Sequence, residues 1–177
     1  MLKPIIIYGS SRSKGETFGL VQTATKEHPD IPIIDLNNHS ISFYDYEYKN
    51  QNDDYLRVME QVTAHDLIIL ATPVYWYSMS AQMKVFIDRL SDLLHLRKDL
   101  GRKLRGKRLF VLASFNTSHP VGFEDPFRQT CGYMGMQYEG CCFYYQGQDQ
   151  ALLNGNAAQL EKIKLLLQQG YAPHIYA

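Results

Sequence analysis

The residues best suited to chemistry stand close together near the start of the chain, from Gly9 to Thr17. Several of them carry hydroxyl groups, namely Ser10, Ser11, Ser13 and Thr17. Hydroxyls can donate hydrogen bonds to phosphate oxygens, and Arg12 adds a planar cation that pairs well with the same group. Gly15 lets the backbone turn or approach a ligand closely. The segment therefore predicts a phosphate-binding loop, with the N–H groups of a following helix as further donors.

The spacing excludes two familiar phosphate-binding motifs. A P-loop has four residues between its glycines, followed by Lys and then Ser or Thr. Here five residues separate Gly9 from Gly15, and Glu16 comes next. The dinucleotide pattern G-x-G-x-x-G is also missing. A simpler interpretation stays open, in which the segment is a polar turn and Thr17 or Ser13 caps the helix, because caps use the same residue types.

A second segment, from Ala71 to Ser78, offers aromatic side chains in place of hydroxyls. Two tyrosines and the single tryptophan of the chain, Trp76, follow a run of apolar residues, and Pro73 stiffens the turn. Flat side chains suit the edge or face of a flat ligand. The segment therefore predicts contact with such a ligand. Packing inside the protein or against another subunit is the alternative.

An alternation of strands and helices would bring the two segments together. Short apolar runs predict strands at residues 4–8, 31–36, 67–71, 109–113 and 137–145. Helical spacing follows Thr17 and recurs at 53–65, 81–94, 122–135 and 156–169, where Gly170 would end the last helix. This order predicts a doubly wound α/β fold, whose ligands bind beyond the carboxyl ends of the strands. We therefore expect a site after Tyr8, Ala71, Ala113 and Tyr145.

Length and composition predict one domain, residues 1–177, in the cytoplasm. The formal net charge is zero, so nothing supports broad binding to nucleic acid. No apolar run approaches the roughly 18 residues that a membrane helix needs, and the start of the chain lacks the pattern of a signal peptide. The three cysteines include no C-x-x-C pair and the six histidines are scattered, so we predict no metal site.

The two segments together resemble the NAD(P)H-dependent FMN reductase and quinone reductase family. The first carries the pattern S-x-R-x-x-G-x-T from Ser10 to Thr17. The second carries P-V-Y-W-Y-S-x-S-A-Q-M-K-x-F-I-D-R from Pro73 to Arg89. The resemblance implies a flavodoxin-like fold, an α/β protein with a doubly wound five-stranded parallel sheet and helices on both faces. It also implies a homodimer or higher homo-oligomer.

The resemblance also implies roles for individual residues. The phosphate of FMN would be held by Ser10, Arg12, Gly15 and Thr17, with Ser13 as an optional contact. The isoalloxazine ring would be lined by Pro73, Val74, Tyr75 and Trp76. A third flavin loop follows the fourth strand in this family and is often rich in glycine. Here it begins Ser114-Phe115-Asn116-Thr117, without a glycine pair, and only Ser114 is carried over.

The implied reaction is transfer of hydride from NADH or NADPH to FMN, and then of electrons to a small acceptor such as a flavin, quinone, azo compound or nitro compound. A flavodoxin-type electron carrier, without NAD(P)H oxidation of its own, is the alternative function. No catalytic residue is assigned, although Tyr75, Tyr77 or His119 could donate a proton to an acceptor. The basic segment 97–108 is predicted to be a solvated connection remote from the flavin, with capture of an anion such as the NADPH phosphate as the alternative.

Overall fold

Five parallel strands form the centre of the molecule. The structure, a computed structural model, describes residues 2–169. The strands are β1 (Pro4–Tyr8), β2 (Ile33–Asp35), β3 (Leu67–Pro73), β4 (Arg108–Phe115) and β5 (Gln137–Tyr145). Their order across the sheet is β2-β1-β3-β4-β5, and every neighbouring pair is parallel. This is the strand order of flavodoxin-like doubly wound proteins, so the predicted fold class is confirmed.

Helices cover both faces of this sheet. They are α1 (Glu16–Ala24), α2 (Tyr55–Thr63), α3 (Ala81–Asp88), α4 (Leu90–His95), α5 (Lys98–Lys103), α6 (Asp125–Met134) and α7 (Gln150–Gln169), with a 3-10 turn at Leu36–Asn38. Helices α1 and α7 pack on the face that contains Ile6 and Leu112. Helices α2 to α6 pack on the opposite face, which contains Ile7 and Val111. Because neighbouring residues of a strand point to opposite faces, burial of both faces explains the nearly continuous apolar runs.

The register brings the carboxyl ends of four strands to one edge of the sheet. Tyr8 at the end of β1 lies opposite Ala71 in β3, and Pro73 at the end of β3 lies opposite Ser114 in β4. Strands β4 and β5 end side by side. The segments that follow these strands therefore meet, as the sequence predicted. Within residues 2–169, no helix combines the length and the apolar character needed to cross a membrane.

The predicted helix over 81–94 is wrong in one respect, because it is divided at Arg89 into α3 and α4. The Arg89 side chain is only 1% exposed and forms ion pairs with Asp53 and Asp92. It also donates a hydrogen bond to the carbonyl of Ser42 (2.9 Å). A buried arginine needs such partners. Asp53 and Ser42 lie far away in sequence, so helical periodicity carried no sign of them.

Two other predicted elements differ from the structure. The basic segment 97–108 is more than a solvated connection, since residues 98–103 form α5 and Leu100 is buried. It leads into the amino end of β4, at the edge remote from the ligand loops, as predicted. Helix α7 begins at Gln150 rather than at 156, because the Asp149 carboxylate accepts hydrogen bonds from the N–H groups of Ala151 (2.9 Å) and Leu152 (3.3 Å). The predicted end at Gly170 lies outside the described residues.

Candidate functional site

The polar loop after β1 leaves the first turn of α1 open. Gly15 precedes the helix with an extended backbone (φ −97°, ψ −170°), and no side chain caps the helix. Within residues 2–169, the backbone N–H groups of Glu16 and Thr17 have no hydrogen-bond acceptor. The simple cap by Ser13 or Thr17 is therefore wrong. Open N–H groups and the positive end of the helix dipole make this turn suitable for an anion.

The side chains around this turn supply hydrogen-bond donors. Ser10 and Thr17 are buried, and Thr17 Oγ1 lies 2.6 Å from Ser114 Oγ at the end of β4. Arg12 is exposed, and its guanidinium forms no ion pair in the part of the chain that the structure describes. Its positive charge is therefore available to a ligand.

Hydrogen bonds from Tyr8 and Asn37 hold this loop in place. The hydroxyl of Tyr8 donates to the Arg12 carbonyl (2.5 Å), and burial raises the pKa of this phenol, so it remains a donor at neutral pH. The Asn37 amide donates to the Ser10 carbonyl (2.7 Å) and to Ser13 Oγ (3.4 Å). Ser13 is exposed on this flank of the loop. Sequence reasoning missed Asn37 because it stands after a different strand, with no local pattern to mark it.

The aromatic segment after β3 folds into a tight hairpin. Tyr75 and Ser78 exchange two backbone hydrogen bonds, with N···O distances of 2.9 and 3.0 Å. The two residues between them, Trp76 and Tyr77, both have positive φ, 49° and 63°. Such turns usually contain Asn and Gly, so two aromatic residues here store backbone strain. The turn directs both rings outward, and Trp76 is 95% exposed.

A cavity of about 340 Å³ lies between the loop and the hairpin. It is lined by Ser10, Arg12, Gly15, Glu16, Thr17, Pro73, Val74, Tyr75, Ser114, Phe115, Asn116 and Gln146. Eight of the ten residues predicted from the sequence belong to this lining, and the two exceptions are Ser13 and Trp76. A hydrogen bond between Ser11 Oγ and the Tyr75 hydroxyl (2.7 Å) ties the loop to the hairpin.

A wider recess of about 590 Å³ opens beside this cavity. Trp76 lines the recess together with Val74, Tyr75, Tyr77, Phe115, Asn116, Thr117 and Ser118. Both spaces are bordered by Val74, Tyr75, Phe115 and Asn116, so the cavity and the aromatic recess are neighbours that share part of their walls. A ligand with an anionic group at one end and a flat ring at the other matches this succession of surfaces.

Several lining residues were not predicted from the sequence. Topology pointed to the segments after Ala113 and Tyr145, but beyond Ser114 their residues have no pattern of type and spacing. The structure adds Phe115 and Asn116 to the site from the first of these segments and Gln146 from the second. His119, which was considered as a proton donor without being assigned that role, lines neither space, and its ring packs edge-on against Phe143 with ring centres 4.6 Å apart.

An open parallel sheet with a donor-lined cavity and an aromatic recess at its carboxyl edge defines a flavodoxin-like nucleotide-binding protein. A family model described as "NADPH-dependent FMN reductase" matches residues 2–150, and the chain belongs to this family. The predicted enzyme class and cofactor are thereby confirmed. The protein is a flavin-dependent oxidoreductase that uses FMN, with NADPH or NADH as its co-substrate.

Individual relatives agree with this family. YwqN of Bacillus subtilis, which carries the provisional name NAD(P)H-dependent FMN-containing oxidoreductase, is 29% identical over 161 residues, covering 78% of this chain and 82% of its own. An FMN-dependent NADH:quinone oxidoreductase of Stenotrophomonas maltophilia is 25% identical over 162 residues, covering 84% and 81%. The solved structure of the Trp repressor binding protein from Bacillus subtilis superposes with a TM-score of 0.72 at 26% identity, covering 93% and 97%.

The residues present fit FMN. The cavity offers one cation, Arg12, together with hydroxyls and the open N–H groups of α1, which suit a phosphate. The only acid in the lining, Glu16, is exposed to solvent, so no buried carboxylate would repel that phosphate. Aromatic and apolar side chains follow toward the recess, where a flat ring would lie.

Proposed function

We propose that this enzyme passes electrons from NAD(P)H through FMN to a small flat acceptor: a free flavin, a quinone, an azo compound or a nitro compound. The observation that carries the proposal is that the donor-lined cavity and an open aromatic recess lie side by side and share four wall residues. The cavity has the chemistry to hold the phosphate of a flavin nucleotide. The recess leaves room beside the flavin ring for a second flat molecule.

At the phosphate end, the open first turn of α1 and the Arg12 guanidinium would bind the anion directly. Ser10 and Thr17 would add hydroxyl donors, and Ser114 would orient the Thr17 hydroxyl through their 2.6 Å hydrogen bond. Gly15 would keep the backbone N–H groups accessible because it has no side chain. Ser13 would contribute little, since it lies outside the cavity lining.

At the ring end, Pro73, Val74 and Tyr75 would pack along the flavin, with Trp76 at the rim of the recess. When bound, FMN supplies the hydride chemistry itself. The protein's task is to position the ring and to admit the nicotinamide and the acceptor in turn to the same open recess. Sharing of one recess by two flat substrates predicts ping-pong kinetics.

We also propose the domain organisation, the location and the oligomeric state that the sequence predicts. The chain would act as one domain, residues 1–177, in the cytoplasm, without a nucleic-acid or membrane partner. It would form a homodimer or a higher homo-oligomer, an expectation that rests on the resemblance to the family. Light scattering during size-exclusion chromatography measures the oligomeric state directly, and a monomeric mass would contradict this part.

The test of function begins with purified protein and added FMN. Quenching of flavin fluorescence reports binding, and oxidation of NADH and NADPH is then followed with each class of acceptor. We expect FMN uptake and oxidation of at least one nicotinamide, with parallel double-reciprocal plots for the preferred acceptor. Binding of FMN without NAD(P)H oxidation would favour the electron-carrier alternative. Failure to bind FMN would remove both functions.

A further inference from the structure

Gln146, the first residue after β5, occupies a fixed place in the wall of the cavity. Its backbone N–H donates to the carbonyl of Phe115 (2.7 Å), which continues the pairing of β4 with β5. Gly147 follows, where a Cβ atom would lie 2.1 Å from the Tyr145 hydroxyl oxygen and 2.6 Å from the Asn116 carbonyl oxygen. No larger residue fits at position 147. The segments that follow β4 and β5 therefore pack closely and hold the Gln146 backbone in place.

The side-chain amide of Gln146 uses only part of its hydrogen-bonding capacity within the protein. Its Nε2 donates to the carbonyl of Glu16 (3.1 Å), at the start of α1. In residues 2–169 its Oε1 has no donor, although an amide oxygen can accept two hydrogen bonds. The side chain thus presents an acceptor and a second N–H donor at the cavity wall, and the residue is only partly exposed.

The chemistry of this amide distinguishes between the parts of a bound flavin nucleotide. An ionised phosphate offers only acceptors, so it could use the free N–H of the amide but not Oε1, and Arg12 and the open turn of α1 already suit it. The flat ring suits the aromatic recess. Hydroxyl groups both donate and accept, so they can use Oε1 and the remaining N–H of the amide together.

We propose that Gln146 recognises hydroxyl groups of the ribityl chain and thereby selects flavins that carry this polyol. The proposal rests on the proposed function, because it takes the cavity to be the FMN site. Gln146 would act as a specificity-determining residue contributed by the segment after β5, beside the loops that follow β1, β3 and β4. Its bond to Glu16 would hold the amide at the correct angle.

The test compares three flavins that differ in the relevant groups. FMN has the phosphate and the polyol, riboflavin lacks the phosphate, and lumiflavin has a methyl group in place of the whole ribityl chain. Dissociation constants are measured by flavin fluorescence for the wild type and for Gln146→Leu, with Gln148→Leu as a matched exposed control. Arg12→Ala serves as the reference for a phosphate contact.

We expect Gln146→Leu to weaken FMN and riboflavin by the same factor, about 3- to 10-fold for a lost neutral hydrogen bond, and to leave lumiflavin unchanged. Arg12→Ala should weaken FMN alone, and Gln148→Leu should change nothing. Gln146→Asn keeps the amide but shortens its reach by one methylene, so it should repeat the Gln146→Leu pattern if the leucine variant folds poorly.

Three results would overturn the assignment while the wild type still binds FMN. Equal binding by both Gln146 variants and the wild type is one. Equal weakening of all three flavins is another, since it would indicate a general disturbance of the site. A larger loss for FMN than for riboflavin is the third, because Gln146 would then act on the phosphate through α1. If the wild type itself bound no FMN, the proposed function would fail first and this assignment with it.

Discussion

Replacing Arg12 by alanine removes the only cation among the residues that line the cavity. Its guanidinium forms no ion pair within residues 2–169, so the substitution leaves no protein carboxylate without a partner. The effect should therefore fall on the ligand and not on folding. A hydrogen bond to a charged group contributes about 1.5–3 kcal/mol, which corresponds to a rise in the dissociation constant for FMN of roughly 10- to 150-fold.

Titration of FMN into the apoprotein, followed by calorimetry or fluorescence, measures this change. Lys14→Ala is the matched control, because Lys14 is a neighbouring exposed cation that does not line the cavity. We expect Lys14→Ala to bind FMN like the wild type and both variants to unfold at the wild-type temperature without ligand. Unchanged FMN affinity in Arg12→Ala, or an equal loss in both variants, would refute the direct phosphate contact.

Two further substitutions test the hairpin and the buried ion pairs. Tyr77→Gly relieves a positive φ of 63°. Urea denaturation of the apoprotein should therefore give a free energy of unfolding about 0.5–1 kcal/mol higher than that of the wild type, whereas turnover should fall because the recess loses a ring. A lower stability of the variant would contradict backbone strain at Tyr77. Asp53→Asn breaks a buried ion pair with Arg89, and we expect a loss of about 3 kcal/mol at pH 7. Burial opposes ionisation of Asp53, but hydrogen bonds from Arg89 and from the N–H groups of Ser42 and Tyr55 outweigh it and hold the pKa below its usual range. The stabilisation is therefore complete above the unfolded pKa of about 3.9 and is lost as the pH falls through the folded pKa; a gap between wild type and variant that stayed constant down to pH 2 would contradict this assignment.

Much of the fold was predictable because strands that are buried on both faces of the sheet consist of unbroken apolar runs. Strands β1 and β3 follow directly from such runs. The division of helix 81–94 was not predictable, since it depends on Arg89 meeting Asp53 across 36 positions. The start of α7 was missed because Asn154, Gly155 and Asn156 are poor helix formers. In the structure, Asn156 lies within α7, and both polar atoms of its amide form hydrogen bonds of 2.8 Å with the backbone of Tyr145.

The candidate site also has a part that was predictable from the sequence and a part that was not. Contiguous motifs identified the loop after β1 and the hairpin after β3, because their residues are close in sequence and have distinctive types. Asn37 and Gln146 could not be predicted from the sequence, since each contributes a single amide from a segment without a motif. The positive φ values of Trp76 and Tyr77 were also unpredictable, because the usual turn residues are absent.

We infer that this chain itself takes electrons from a nicotinamide onto FMN held between the loop after β1 and the aromatic hairpin. Anaerobic mixing of the FMN-loaded protein with NADPH, and separately with NADH, tests it most directly through the flavin absorbance. We predict rapid bleaching by at least one nicotinamide, with one equivalent consumed per bound FMN. Bound flavin that stayed oxidised with both nicotinamides would contradict the claim.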